Sequence, residues 1–288
     1  MIKMIASDMD GTLLNGKKGI SDRNLKAIKD AQALGVKFVI ASGRAYDSIL
    51  PLLNSCDLKC DCITGNGAQY IDEDGKLISG KYLAYEKACT VIEMLASHHI
   101  HFMIYTTSGY YGIEHRDIVA HEFALRGLRR FGKRDHKTYE EVFEGIKHHA
   151  AYLLEKMDDY KEVLKDKEII KIEAFDKDEK IMQAFKPLLA DVEGIAYLSS
   201  FPDNCEITDE NATKGKILLE VSRLFGVKED EVMVFGDEAN DLSMFENFEN
   251  GVAVNNASDL IKSKAKYITD DCYEDGVGKA IEKYILNR

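Results

Sequence analysis

Four short segments of this 288-residue chain carry side chains of the types that handle phosphate and divalent cations. The first is Asp8-Met9-Asp10-Gly11-Thr12, which follows an apolar run from Ile2 to Ser7. Residues two apart on an extended chain point to the same side, so both carboxylates can face one pocket. The glycine leaves the following backbone free to turn and to offer N–H groups to an anion.

The other three segments also lie at the end of a predicted strand or the start of a predicted helix. They are Ser42-Gly43-Arg44, Lys214 in a helix capped by Asn211 or Thr213, and Gly236-Asp237-Glu238-Ala239-Asn240-Asp241 after the strand Val232–Phe235. Ser42 supplies a hydroxyl and Gly43 a bare backbone N–H. A lysine in the first turn of a helix opposes the helix dipole unless an anion lies in front of it. Because ligands of open parallel sheets bind at the carboxyl ends of the strands, we expect the four segments to meet.

Convergence of these segments would bring four carboxylates together, those of Asp8, Asp10, Asp237 and Asp241. Carboxylates that lie so near to one another repel, and one of them would be driven towards protonation. A hard divalent cation relieves the repulsion, and Mg²⁺ prefers a few carboxylate oxygens together with water and substrate phosphate. With Ser42 and Lys214 beside it, such a cation site predicts phosphoryl transfer.

Each segment by itself has an ordinary structural interpretation. Asp-x-Asp-Gly is often only a turn, Ser42 could be a helix cap, Lys214 could be a solvated lysine, and Asp241 could cap the helix that follows it. Gly65-Asn66-Gly67 ends a third predicted strand, and a tight turn explains it as well as a functional role does. No helix pattern follows it, so it is not a dinucleotide-binding motif.

The order of predicted elements indicates an α/β fold with an insertion. Strand Ile2–Ser7, a helix running from an N-cap at Ser21 to Gly35, and strand Val36–Ile40 predict a right-handed crossover and a parallel sheet. From about residue 83 to 200 the pattern changes to that of an α+β unit, after which the α/β alternation returns. We predict a doubly wound parallel-sheet core formed by residues 1–82 and 201–288, with an inserted α+β cap domain at 83–200.

Composition excludes several classes of protein. The 38 Lys and Arg residues against 50 Asp and Glu residues give a net charge of −12, which disfavours broad nucleic-acid binding. No apolar run approaches the roughly 18 residues of a membrane span, and the N-terminus becomes polar too early for a signal peptide. We therefore expect a cytoplasmic protein that binds neither nucleic acid nor membrane. The six cysteines include no Cys-x-x-Cys pair, and buried thiols are a better interpretation than a metal site.

The motifs taken in order resemble those of the haloacid dehalogenase (HAD) superfamily: Asp-Met-Asp-Gly-Thr-Leu-Leu, Ala-Ser-Gly-Arg, Lys214 and Gly-Asp-Glu-Ala-Asn-Asp. More narrowly, the chain is similar to the Cof-type sugar phosphatases, whose type IIB cap is inserted between the second and third motifs. The resemblance covers essentially the whole chain and implies a Rossmann-like HAD core. One departure is Glu238, where many relatives carry a small or neutral residue, and its effect on metal affinity stays open.

The resemblance implies a role for each motif residue. Asp8 would be the nucleophile that becomes an aspartyl phosphate, and Asp10 the general acid and base. Mg²⁺ would be held by Asp8, the Asp10 backbone carbonyl and Asp237. The phosphate-binding residues would be Ser42, Gly43, Lys214 and Asn240, and the supporting residues would be Gly11, Thr12, Arg44 and Asp241.

The function expected from this resemblance is Mg²⁺-dependent hydrolysis of a small phosphomonoester, a sugar phosphate above all. A phosphomutase of the same superfamily is the first alternative, because the motifs do not separate return of the phosphoryl group to substrate from its transfer to water. A non-catalytic sensor of phosphorylated metabolites is the second, although a binder needs neither nucleophile nor acid. The sequence leaves the substrate and the oligomeric state open.

Overall fold

The computed structural model describes residues 1–14, 19–129, 137–147, 149–199 and 201–288. The chain divides into two compact units. The first unit combines Met1–Lys81 with Asn211–Arg288, and the second unit is the intervening segment Tyr82–Glu210. We number strands and helices in chain order.

The first unit is built on an eight-stranded sheet within the described residues. Its strands are β1 (Met4–Ser7), β2 (Lys37–Ala41), β3 (Asp61–Thr64), β4 (Gln69–Ile71), β5 (Leu77–Gly80), β12 (Val232–Gly236), β13 (Asn250–Ala253) and β14 (Tyr267–Ile268). Its α-helices are α1 (Asp22–Ala33), α2 (Tyr46–Ser55), α9 (Lys214–Leu224), α10 (Leu242–Asn247), α11 (Asp259–Lys264) and α12 (Gly276–Tyr284).

The order of strands across this sheet is β14-β13-β12-β1-β2-β3-β4-β5, and β14 to β3 are parallel. Strand β1 lies between β12 and β2, with Ser7 opposite Phe235 on one side and Ile40 on the other. The central strands are buried along their length, as expected for a parallel sheet covered on both faces. The predicted α/β fold with a doubly wound parallel sheet is confirmed.

Local sequence signals set the first strand–helix–strand unit. The Ser21 hydroxyl accepts a hydrogen bond from the Asn24 backbone N–H at 3.2 Å, which caps α1 as predicted. Gly35 has φ +82°, the left-handed conformation predicted for the residue that ends this helix. Between these two signals, Ala27, Ile28 and Ala31 are buried on one face of the helix and pack into the core beneath the sheet.

The second unit contains a six-stranded sheet within its described residues, ordered β10-β11-β9-β6-β7-β8. Its strands are β6 (His101–Thr106), β7 (Gly109–Gly112), β8 (Glu155–Lys156), β9 (Ile169–Phe175), β10 (Ile195–Leu198) and β11 (Asn204–Asp209). Its α-helices are α3 (Tyr85–Ser97), α4 (Arg116–Gly127), α5 (Tyr139–Gly145), α6 (Ala150–Leu153), α7 (Tyr160–Leu164) and α8 (Glu179–Phe185). Alternate strand residues such as Ile104, Ile172 and Ile207 share a hydrophobic core with α3 and α8.

The end of the inserted unit differs from the sequence-based boundary. The sequence pattern assigns residues 201–210 to the core, whereas β11 pairs antiparallel with both β9 and β10 of the second sheet. The second boundary therefore lies between Glu210 and Asn211. Local sequence did not reveal this, because a strand shows its hydrophobic pattern but not the sheet to which it pairs.

Two further features bear on the composition argument. None of the helices in the described residues is long and apolar enough to span a membrane. All six cysteines are free, and Cys60, Cys62, Cys205 and Cys272 are buried. No cysteine belongs to a cluster of potential metal ligands among the described residues.

A histidine on β6 gives the second unit a testable pH dependence. His101 Nδ1 lies 2.7 Å from Glu114 Oε2, and its ring stacks on Phe175. The Glu114 hydrogen bond raises the pKa of His101 against the lowering effect of burial, with further raising by the Glu122 and Asp176 carboxylates. A raised pKa in the folded state stabilises the protein below the unfolded pKa, and this stabilisation disappears as pH rises through the folded pKa.

We therefore expect His101→Gln to lower the free energy of unfolding by about 1 kcal/mol at pH 5.5 and by less at pH 8.5. Urea unfolding followed by circular dichroism at the two pH values measures the difference. The exposed His121, exchanged for Gln in the same way, is the control for loss of an imidazole. A His101→Gln deficit of equal size at both pH values would contradict the prediction.

Candidate active site

The parallel register brings the predicted segments to one edge of the first sheet. β1, β2 and β12 all run in the same direction and end beside one another, so the loops after Ser7, Ala41 and Gly236 are neighbours. Helix α9 begins at Lys214 after an N-cap at Thr213, whose hydroxyl accepts from the Lys216 backbone N–H at 3.3 Å. Of the two caps that the sequence predicts, Asn211 or Thr213, the structure shows Thr213.

Lys214 lies at the centre of the site. Its side chain has no solvent exposure, and Nζ donates to Asp8 Oδ1 at 2.6 Å and to Asp241 Oδ1 at 2.7 Å. A buried ammonium needs such partners, because an unpaired charge in the interior is costly. The two carboxylates raise the pKa of Lys214 against the lowering effect of burial, so the lysine is a fixed positive charge beside Asp8.

Asp241 uses both carboxylate oxygens within the protein. Oδ1 accepts from Lys214, while Oδ2 accepts from the backbone N–H groups of Asp237 and Glu238 at 2.9 and 3.2 Å. A Cβ on Gly236 would come within 2.6 Å of the Asp241 side chain, so only glycine permits this close approach. Asp241 thus holds Lys214 and the Asp237 loop together.

Asp237 is held from the first motif. Thr12 Oγ1 donates to Asp237 Oδ1 at 2.6 Å. Gly11, with φ +87°, lies against the other oxygen, and a Cβ there would clash with Asp237 Oδ2. Glu238 instead donates its backbone N–H to Asp241 Oδ2, and its carbonyl accepts from the Asp241 backbone N–H at 2.8 Å in the short turn 239–241.

Asp10 and the second motif form a separate pair at the mouth of this cluster. Arg44 Nη2 and Nε donate to the two oxygens of Asp10 at 2.6 and 2.7 Å, in a bidentate ion pair that leaves the Asp10 side chain 51% exposed. Ser42 is buried at the end of β2, with Oγ accepting from the Arg44 backbone N–H at 3.2 Å. Gly43 lies between them in the chain. The structure therefore joins Asp8, Asp237, Asp241 and Lys214 directly and places Asp10 with Arg44.

Sequence analysis missed two residues that support the site. Asn256 Nδ2 donates to the Gly11 carbonyl at 2.7 Å, and its Oδ1 accepts from the Cys272 backbone N–H. Ser258 donates its backbone N–H to the Asp237 carbonyl at 2.9 Å. Both follow β13 at the same sheet edge, so the rule that selected the other loops would also have found this one.

The carboxylates of this cluster repel one another, and the repulsion and burial raise the pKa values of Asp8 and Asp237. Burial raises the pKa of Asp8 to about 7 although Lys214 lowers it, and Asp241 and Asp10 add to the rise. Burial and the charges of Asp8 and Asp241 raise the pKa of Asp237 well above its usual range. A cation between these groups would remove the repulsion.

The donor set fits a hard divalent cation. Among the described residues, Asp8, Asp237 and Asp241 each offer an oxygen within 4.8 Å of the others. Since both Asp241 oxygens accept hydrogen bonds, Asp8 and Asp237 are the carboxylates suited to direct ligation. Mg²⁺ favours coordination by one or two carboxylates together with water and phosphate oxygens.

The fold and the site define a hydrolase of the phosphoryl-transfer type, and comparison with known proteins agrees. A model of the haloacid dehalogenase-like hydrolase family matches residues 5–281. A 5-amino-6-(5-phospho-D-ribitylamino)uracil phosphatase of Bacillus subtilis is 31% identical, with 99% of this chain and 96% of that protein aligned.

Solved structures share the fold. A haloacid dehalogenase-like hydrolase from B. subtilis superposes with a TM-score of 0.85 at 25% identity, covering 99% of this chain and 100% of that one. A HAD subclass IIB sugar phosphatase superposes with a TM-score of 0.77 at 23% identity, covering 98% of each chain. The chain belongs to the haloacid dehalogenase-like hydrolase family. It is a phosphatase, and phosphatases of this family use a divalent metal.

Gly11 allows a matched test of the site geometry. Alanine at Gly11 would place a Cβ against Asp237 and adopt a left-handed backbone, whereas Gly35, with φ +82°, has nothing within 4 Å of its would-be Cβ. We expect both Gly→Ala variants to lose about 1–2 kcal/mol of stability, but only Gly11→Ala to lose about 100-fold or more in kcat. Thermal melts and turnover of p-nitrophenyl phosphate measure both effects. Equal activity of the two variants would show that contact between Gly11 and Asp237 does not matter for turnover.

Proposed function

We propose that this protein hydrolyses small phosphomonoesters, sugar phosphates above all, with Mg²⁺ and through an aspartyl phosphate on Asp8. The observation that carries the proposal is the buried contact of Lys214 Nζ with Asp8 Oδ1 at 2.6 Å inside the carboxylate cluster. A lysine that neutralises a nucleophilic carboxylate is also placed to bind the phosphoryl group which that carboxylate attacks.

In the first step, a carboxylate oxygen of Asp8 forms a bond to phosphorus while the bond from phosphorus to the ester oxygen breaks. Asp10 donates its proton to the departing alkoxide, which leaves as an alcohol. Lys214 and Ser42, with the Gly43 backbone N–H and Asn240, bind the phosphoryl oxygens where negative charge concentrates. Arg44 orients the Asp10 carboxyl group through its two hydrogen bonds.

In the second step, water attacks the phosphorus of the aspartyl phosphate. Asp10 accepts a proton from that water, the bond from phosphorus to Asp8 breaks, and inorganic phosphate and free Asp8 are formed. The proton that Asp10 gives to the leaving group in the first step is thus returned to it in the second.

The residues that would hold Mg²⁺ are Asp8, Asp237 and the Asp10 backbone carbonyl. Bound there, the ion would offset the repulsion between carboxylates and phosphate and stabilise charge on the transferring phosphoryl group. Thr12 and Gly11 keep Asp237 in place for this purpose.

Substrate class and the role of the second unit rest on the relatives. The B. subtilis relative is named for a substrate with a phosphorylated ribityl chain, and one structural relative is named a sugar phosphatase. Both names describe phosphate esters of polyhydroxylated carbon chains. We propose that the unit Tyr82–Glu210 acts as a cap domain that selects the leaving group.

A panel of p-nitrophenyl phosphate, sugar phosphates and sugar-alcohol phosphates, assayed with Mg²⁺ and with EDTA, tests the proposal. We expect phosphate release that requires Mg²⁺ and is faster on the polyol esters than on the aromatic ester. Isomerised sugar phosphate in place of inorganic phosphate would identify a mutase. Phosphate binding without turnover of any ester would favour the sensor.

A further inference from the structure

The turn Gly65-Asn66-Gly67 at the end of β3 has a backbone that few residues adopt. Three residues in succession have positive φ angles, of +58°, +60° and +108°. Asn66, the middle one, has ψ 24° and is therefore left-handed. Asparagine tolerates this conformation better than other residues with side chains, but glycine would adopt it at less cost. The presence of a side chain here therefore needs an explanation beyond the turn.

This turn contacts three of the four motifs. The backbone N–H groups of Gly65 and Asn66 donate to the carbonyls of Arg44 and Ser42 at 2.9 and 3.0 Å. A Cβ on Gly67 would lie 2.6 Å from the backbone of Thr213, the residue before Lys214. The side chain of Asn66 reaches the fourth motif, where its Oδ1 accepts from Asn240 Nδ2 at 3.2 Å.

The two asparagine side chains are almost completely buried, at 1% exposure for Asn66 and 7% for Asn240. The Asn66 amide oxygen accepts from the NH₂ group of Asn240, so the bond sets how the Asn240 amide faces relative to Asn66. Rotation of that amide by half a turn would set two oxygens against each other in a buried site. The backbone bond to Ser42 ties the same residue to the second motif.

We propose that Asn66 is a positioning residue for phosphoryl transfer, which orients the Asn240 amide and holds it in register with the Ser42 loop. This inference rests on the proposed function, because Asn240 matters only if it binds phosphate or a water beside it. A turn that served β3 alone would need the two glycines but not a buried carboxamide aimed at another motif.

The test is a double-mutant cycle of Asn66→Gly and Asn240→Ala. Asn66→Gly keeps the left-handed backbone and removes only the carboxamide. We expect each single variant to lose about tenfold or more in kcat with a smaller change in KM, and the double variant to be no slower than Asn240→Ala alone. Asn66→Ala, which also removes the carboxamide and costs about 1 kcal/mol more for the left-handed backbone, should lose the same factor in kcat. The activity of this second variant tests the proposal if Asn66→Gly does not fold.

Asn287, with φ +55° and an exposed side chain, is the matched control. Asn287→Gly makes the same exchange at another left-handed position and should leave kcat unchanged. Calorimetric titration with inorganic phosphate in the presence of Mg²⁺ gives a second readout, in which Asn66→Gly should weaken binding to the same extent as Asn240→Ala.

Losses that multiply in the double variant, or full activity of Asn66→Gly, would overturn the role of Asn66 in an active enzyme. Failure of the proposed function has a different signature, since the wild-type protein itself would then release no inorganic phosphate from any ester.

Discussion

Asp8→Asn is expected to abolish phosphate release while the protein stays folded. The amide cannot attack phosphorus, so both the first step and the intermediate disappear, and we expect kcat to fall by about 10⁴-fold or more. Folding should survive because burial and the neighbouring Asp241 and Asp10 carboxylates already penalise a charge on Asp8, raising its pKa to about 7. Loss of that charge removes repulsion as well as the attraction to Lys214.

Two measurements separate this outcome from a general loss of structure. Acid quenching of a reaction with radiolabelled substrate should give phosphorylated wild-type protein and unlabelled Asp8→Asn protein, with melting temperatures within a few degrees of each other. The exposed Asp74 offers the control, because Asp74→Asn makes the same exchange in the β4–β5 hairpin. Label on Asp8→Asn, or turnover near that of Asp74→Asn, would assign the nucleophile to another residue.

The second large effect is expected for Lys214→Met, which damages both the fold and the chemistry. Removal of one partner from a buried ion pair leaves the others uncompensated, and here Asp8 and Asp241 both lose their cation. We expect a loss of about 3–5 kcal/mol in the free energy of unfolding. The phosphoryl group also loses its fixed positive charge, so kcat should fall about 10³-fold.

Lys216 lies two residues along the same helix with its side chain exposed, which makes Lys216→Met the matched control. Urea unfolding and turnover of the two variants should differ by the amounts given above, with Lys216→Met close to wild type. Similar stability of both variants would mean that solvent or rearranged side chains replace the Lys214 ammonium, and similar activity would remove Lys214 from phosphate binding.

The motif residues could be identified from sequence because each follows a recognisable local signal. Apolar runs that end in Asp8, Ser42 and Asp237 mark strand ends, and helix caps mark the start of the helix that carries Lys214. Parallel strands ending at one edge then require these segments to be neighbours. The same reasoning stopped short of Asn256 and Ser258, although their loop also follows a parallel strand, because neither residue type suggests phosphate chemistry.

Sequence by itself therefore determined the α/β class, the order of elements and the identity of the segments that meet, since these follow from hydrophobic period, caps and strand direction. Only the tertiary structure decided the pairings within the site. Lys214 could have been solvated, but it is buried between Asp8 and Asp241, while Asp10 pairs with Arg44 instead of joining them. The same holds for β11, which joins the second sheet, and for Asn66, whose side chain bonds to a residue 174 positions away. Contacts of this kind depend on distances in space between residues far apart in the chain, and no local pattern encodes them.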